Sequence, residues 1–391
     1  MKVKGIENDL LLCCASPFDG VPKAERIKEL VRRGIDWTHI LWTARRHGVI
    51  PLLYQNLKEM HPEDIPEGVM VRLRDEFRKI SISNLLLTSE MVKLVDLFQS
   101  NGVAVIPYKG PILSLQVYGD VCLRQFCDLD FLIHKHNFIK AKELLRSRDY
   151  EPEYHMSPVE ESIYLRNECE YNFCSVNRKV FVELHWDIVQ KYFSCNLDVE
   201  EFWRDLKPVP LLGREMMTLS PDHLLLILCV HHGGKHHWET LGWVSDVAHL
   251  IHTSKDIDWE YVVEMASRSG ISRILLLGLC LARDLLSTDL PDLVRKKIKD
   301  ETIVKSLAER VCVKMFIEPE NLTPEFERFS LYLKQRERLR DKTRYCLRRF
   351  FTSTEKDWSL LRLPPALSSL YKMIRPIRLT AKYGLKLLGY G

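Results

Sequence analysis

The sequence predicts an α+β fold, with a small mixed sheet preceded by helices and followed by a helical C-terminal domain. Three observations predict it. Strand-like alternation is confined to residues 101–210, helical periodicity dominates on either side, and the order between reads β-α-β-α-β-β. A chain of 391 residues has room for two or three domains, and the pattern divides it at 1–100, 101–210, 211–320 and 321–391.

Along the chain, residues 1–20 show weak order. Helices are expected over 23–33, 36–47 and 49–59, where Trp37, Ile40, Leu41 and Ala44 form an i, i+3, i+4, i+7 stripe. A long helix covers 68–100 and is stopped by Asn101-Gly102. Val103–Pro107 reads as a short strand entering Lys109-Gly110 and a helix that ends near Tyr118. Leu129–Ile133 is a strand, Asn137–Arg148 a helix, and Cys169–Val176 and Val180–Ile188 a strand pair turning at Asn177-Arg178. After Pro210, helices are expected at 221–232, 239–252, 258–268, 271–286, 291–299 and 301–316, then one long basic helix over 325–350.

Hydrophobic content of 46% and charged content of 28% are those of an ordinary soluble protein. Eleven cysteines, odd in number and without a repeating pattern, argue against a disulfide framework and for reduced thiols in the cytoplasm. The apolar stretch Leu10–Ala15 is short and follows Glu7 and Asp9, so no secretory signal is read. The run Leu224–Val230 falls far short of the about 20 residues that span a bilayer, so no membrane span is expected. Net charge is +4, but from Leu331 onward there are 15 Lys/Arg against 4 Asp/Glu. That asymmetry invites contact with a polyanion through the basic C-terminal region, although a solvated basic helix face is the simpler reading.

The chemistry concentrates in Tyr108-Lys109-Gly110, Tyr118-Gly119-Asp120, Arg124 and Asp128-Leu129-Asp130. Side chains alternate along a strand, so Asp128 and Asp130 share one face and Leu129, Phe131 and Ile133 the other. Adjacent carboxylates repel unless a cation lies between them, and hard oxygen ligands on a rigid strand suit Mg²⁺ shared with substrate phosphates. A third carboxylate is offered by Glu183 on the alternating segment Lys179–Asp187. Its face includes His185 and Asp187, opposite Val180, Val182, Leu184 and Trp186.

These motifs, with Glu183-Leu184-His185-Trp186 and Leu241–Asp246, resemble the nucleotidyltransferases of the DNA polymerase beta superfamily. The resemblance is nearest to the bacterial NTP_transf_5 type and covers roughly residues 25–270. It implies a small mixed-sheet nucleotidyltransferase core that moves a nucleoside monophosphate from a nucleoside triphosphate to an acceptor hydroxyl. By that resemblance Asp128, Asp130 and Glu183 are the catalytic residues and hold Mg²⁺, two ions in all. Lys109, Gly110 and Arg124 would bind nucleotide. The family's Gly-Ser is here Gly110-Pro111, so a phosphate-contacting hydroxyl is missing and Lys109 is the expected substitute. Proline itself suits the first turn of a helix.

His185, His232 and Asp246 are candidate substrate-binding residues. The run His231–Trp238 lacks zinc spacing, and Gly233-Gly234 should break a helix there. Trp238, Trp243 and Trp259 offer rings for a base, though core packing explains Trp243 and Trp259 better. The acceptor is left open between a small hydroxylated molecule, a protein side chain and a tRNA end. A non-catalytic nucleotide-binding or interaction protein that keeps the fold is the alternative, and Gly110-Pro111 is the feature favouring it.

Overall fold

Alternation along β2 (Asp128–Ile133) divides the molecule into two apolar cores. Leu129, Phe131 and Ile133 enter one core, together with Val182, Leu184 and Trp186 from the β5 region (β5, Phe181–His185). There they meet Leu87, Met91, Leu94, Val95 and Phe98 of the helix Glu67–Ser100 and Phe138, Ala141 and Leu145 of the helix Phe138–Arg146. The opposite face of the sheet carries the acidic residues and turns toward the C-terminal helices. The computed structural model describes residues 5–18, 21–60, 64–317, 325–352 and 373–380.

Five strands form the mixed sheet, in the order β1-β2-β5-β4-β3. β1 (Val105–Pro107) runs antiparallel to β2, β2 parallel to β5, and β4 (Glu170–Ser175) antiparallel to both β5 and β3 (Tyr150–Pro152). The parallel register sets Asp130 beside Glu183 and Leu132 beside His185, while β4 brings Glu170 opposite His185 from the other side. A separate hairpin, β6 (Leu206–Leu211) and β7 (Arg214–Leu219), was not foreseen. Its turn places Leu212 and Gly213 at φ 49° and 75°, the left-handed pair of a tight hairpin, in place of the usual Asn-Gly signal. Thr218 ties it to the core by donating to the Pro107 carbonyl at 2.7 Å.

The N-terminal and C-terminal helices share the second core. Leu10, Leu11, Ile27, Ile40 and Leu53 pack in one cluster with Leu224–Val230 and most of the helix Ser272–Leu286. This corrects the expectation of weak order near the start. Residues Ile6–Ala15 are helical because Leu10, Leu11, Cys14 and Ala15 are buried against distant partners, a tertiary effect that local propensity does not show. Ser245 and Ser16 add hydrogen bonds to the Ala15 and Leu286 carbonyls at 2.9 and 3.0 Å. The single basic helix expected over 325–350 is two, Glu325–Gln335 and Leu339–Phe351. The break turns Arg336 inward, where it donates to the Ser194 carbonyl at 2.7 Å and lies 3.3 Å from Asp341.

Gly233-Gly234 does not end its helix. Pro221–Leu228 continues as a π-helical turn, Cys229–Lys235, closed by left-handed His237 and Trp238. π-turns inside helices commonly mark functional sites. Trp238 is fully buried, which removes it as a ring for a substrate base. A Cβ on Gly233 would approach its Nε1 to 2.5 Å, and one on Gly278 its Cζ2 to 2.7 Å and Cys229 Sγ to 2.8 Å. Alanine at 278 would gain about 1 kcal/mol of helix propensity but overpack this junction by about 1–3 kcal/mol. Gly278→Ala is therefore expected to lower the midpoint of chemical denaturation, and an unchanged or raised midpoint would show that Trp238 yields freely.

Candidate active site

Two polar nodes form where the acidic sheet face meets the C-terminal helices. The first centres on Asp130, 3% exposed. Lys109 Nζ donates to Asp130 Oδ1 at 2.7 Å, and His185 Nε2 lies 3.1 Å from the same oxygen and 3.2 Å from Glu183 Oε2. Ligand atoms of Asp130, Glu183 and His185 all fall within 4.8 Å of one another. Asp128 is two residues away on the same strand face and interacts electrostatically with Asp130, Glu183, Lys109 and Arg124.

The electrostatics separate the two aspartates. Burial works against Asp130 ionisation but is outweighed by Lys109 and His185, so its carboxyl is held below the usual range. Asp128 is pushed up to about 6 by burial first and then by the negative Asp130 and Glu183. His185 is raised because its carboxylate neighbours outweigh burial. Thus Lys109 and His185 together stabilise one carboxylate, and the face still carries more negative charge than its cations balance.

Gly110 fixes the turn above this node. Its φ of +53° is left-handed, and a Cβ would come within 3.0 Å of the Asp128 carbonyl oxygen, so glycine is required on both counts. Pro111 follows in the first turn of the helix Gly110–Tyr118, whose end is capped by left-handed Gly119. The ammonium of Lys109, expected to face phosphate, is turned onto Asp130 and is 5% exposed as a residue.

The second node centres on Asp246, in the helix Leu241–Thr253. Arg124 Nε donates to Asp246 Oδ1 and Oδ2 at 2.9 and 3.1 Å, Tyr118 donates to Oδ1 at 2.9 Å, and His232 Nε2 lies 3.4 Å from Oδ2. Asp246 is lowered to about 2, because Arg124 and His232 outweigh burial. The loop carrying Arg124 is fixed by Asn84, whose Nδ2 donates to the Val121 and Arg124 carbonyls at 2.7 Å each. A small cavity of about 60 Å³ lies beside this node, lined in part by His47, Tyr118, Arg124, Gln125, Trp243 and Asp246.

The structure therefore brings Lys109, Asp130, Glu183 and His185 together, and Arg124, His232 and Asp246 into a neighbouring group. Arg124 contacts Asp246, not the acidic pair. His231, His232 and His236 are pushed down by burial, His236 to about 3, so near pH 7 they are neutral rings rather than cations. His232 stacks on Trp243 at 5.3 Å. The lysine of the His231–Trp238 run, expected at a cleft edge to meet an anionic substrate, is instead paired: half-buried Lys235 holds buried Glu170, which sequence reasoning missed, with Nζ–Oε distances of 2.8 and 2.9 Å. Sequence reasoning also missed Tyr118 as a partner of Asp246 and Asn84 as the anchor of the loop. Glu170 lies on the expected 169–176 strand at the position facing His185, which is the signal that could have found it.

The family described as uncharacterised nucleotidyltransferases, NTP_transf_5, matches residues 33–287. Among solved structures, the chain is similar to the lincomycin-bound lincosamide antibiotic adenylyltransferase LnuA. The identity is 16% and the TM-score 0.30, over 42% of this chain and 97% of that one. It is also similar to an antigenic nucleotidyltransferase-like protein from Paracoccidioides brasiliensis, at 14% identity and a TM-score of 0.31, over 58% and 92% of the two chains. No curated protein matches the sequence. With the family match spanning well over half of its length, the chain belongs to the NTP_transf_5 nucleotidyltransferase family.

Proposed function

We propose that the protein transfers a nucleoside monophosphate from a nucleoside triphosphate to an acceptor hydroxyl, releasing pyrophosphate, with Mg²⁺ held by Asp128, Asp130 and Glu183. The observation that carries this reading is the parallel register of β2 and β5, which aligns Glu183 with Asp130 and leaves Asp128 on the same acidic face. The donor set fits the ion. The carboxylates are hard oxygen donors, and the raised Asp128 carboxyl marks negative charge that a divalent cation would neutralise. When bound, the metal would offset the triphosphate charge and favour ionisation of the attacking hydroxyl.

The protein groups have separate tasks. Amides at the Gly110 turn open a helix whose N-terminus favours anionic phosphate, and Lys109 can pass from Asp130 to a phosphate oxygen. Glu183 accepts the acceptor's proton as the new oxygen–phosphorus bond forms at the α-phosphorus. The bond to the bridging oxygen breaks and pyrophosphate carries away the electron pair. Arg124, Tyr118 and His232 fix Asp246 beside the cleft and so shape the acceptor side. The acceptor is a hydroxylated small molecule, a protein side chain or a tRNA end. Much of the basic C-terminal region proposed for polyanion contact lies outside the described residues. One observation favours the alternative, a nucleotide-binding protein without turnover: Lys109 already neutralises Asp130. Among the described residues no helix is long and apolar enough to cross a membrane.

Two outcomes test the reading. With α-labelled nucleoside triphosphates and pools of hydroxylated small molecules, proteins or tRNA, wild type should move label to acceptor and release pyrophosphate. Asp128→Asn combined with Asp130→Asn should abolish transfer while the protein remains folded, and normal transfer by that double variant would refute the site. The second outcome follows from Asp128 alone. Its folded pKa of about 6 stands above the ordinary 3.8, so its stabilising contribution is full below about pH 4 and is lost as pH rises through 6. Asp128→Asn should therefore raise the melting temperature of the metal-free protein more at pH 8 than at pH 5, and an equal effect at both would contradict the electrostatic account.

A further inference from the structure

Glu170 and Lys235 take no part in the chemistry above, yet they extend its network. Both nitrogens of His185 face carboxylates: Nε2 faces Asp130 and Glu183, and Nδ1 lies 3.4 Å from Glu170 Oε2. That last contact is an ion-pair approach without hydrogen-bond geometry, and Nδ1 has no hydrogen-bond partner. Lys235 then holds Glu170 through both carboxylate oxygens. The result is a run of charged contacts, Lys109–Asp130–His185–Glu170–Lys235, hydrogen-bonded at every step except His185–Glu170, with His185 1% and Glu170 9% exposed. Burying an ion pair is a poor route to stability, because desolvation consumes most of the attraction. Orienting a neighbour is a better account of this placement.

We propose that Glu170 and Lys235 are positioning residues for the metal-binding carboxylates and act through His185, an inference that rests on the reading above. Glu170 fixes the imidazole plane so that Nε2 reaches both Asp130 and Glu183, and Lys235 keeps Glu170 in place. Cys169, Glu170 and His185 also bring ligand atoms within 4.8 Å of one another, like a second cation site. The Lys235 ammonium supplies the positive charge there already. Its source is telling. The π-helical turn Cys229–Lys235 sends His232 to Asp246 and Lys235 to Glu170, so one turn of the C-terminal helices supports both polar nodes.

The test uses Mn²⁺ binding, followed by electron paramagnetic resonance with and without a non-hydrolysable nucleoside triphosphate, on the full chain. Partners of this kind behind metal ligands are typically worth about 10–100-fold in metal affinity, and Glu170→Gln is expected to lose that much. Lys235→Arg, which keeps the charge, should retain wild-type affinity. A single variant could simply leave a buried charge unpaired and unfold. The pair Glu170→Gln/Lys235→Met removes both charges, and its melting temperature should return toward wild type while Mn²⁺ affinity stays low. Recovery of affinity in that double variant would mean a purely structural ion pair and would overturn the inference, as would wild-type affinity in Glu170→Gln. Failure of wild type itself to bind Mn²⁺ would overturn both this inference and the proposed function.

Discussion

Negative charge gathered on one face of a small sheet is the constraint on which the rest of the structure depends. Asp128, Asp130, Glu183 and Glu170 share the face turned toward the C-terminal helices, with Asp130 and Glu170 buried and Asp128 and Glu183 half-buried. Such charges persist only where cations meet them. Lys109 arrives from the turn after β1, His185 from β5 and Lys235 from the π-turn, each from a different segment of the chain. The apolar core beneath β2 and β5 holds these strands rigidly enough for the contacts to be specific.

The same logic explains why the helices sit where they do. Asp246 draws Arg124, Tyr118 and His232 into one group, and that group joins the core turn to the helix Leu241–Thr253. Gly242 reinforces the junction, since its N–H donates to the His47 carbonyl at 3.0 Å and a Cβ there would come within 2.8 Å of that oxygen. The N-terminal helices, the sheet and the C-terminal helices therefore meet around the polar nodes rather than at a distance from them.

Much of this was legible in the sequence, for identifiable reasons. Alternation in Asp128–Phe131 and Val182–Trp186 assigned both faces of the sheet, because a period of two admits one assignment once the apolar side is known. Leucine periodicity located most C-terminal helices. Contacts remote in sequence were not legible. The Ile6–Ala15 helix depends on burial against the other N-terminal helices and against helices more than two hundred positions away, and β6 carries Pro208 and Pro210 before an atypical Leu-Gly turn. The helix Pro158–Asn167 had a readable signal that was passed over, the reciprocal Ser157–Glu160 capping box. In the site, Asp128, Asp130 and Glu183 stood out by spacing. Glu170 and Lys235 did not, because their significance lies in pairing across strands and between distant segments. The π-turn through Gly233-Gly234 defeated the rule that glycines end helices, since packing against Trp238 requires the missing side chain of Gly233.

The central claim is that the carboxylate face binds a nucleoside triphosphate together with a divalent metal. Its most direct test is the thermal stability of wild type and of the Asp128→Asn/Asp130→Asn variant with each nucleoside triphosphate, with and without Mg²⁺. The account predicts an upward shift that requires Mg²⁺ and occurs only in wild type, with the largest shift naming the preferred base. The absence of any shift, or an equal shift in the variant, would contradict it.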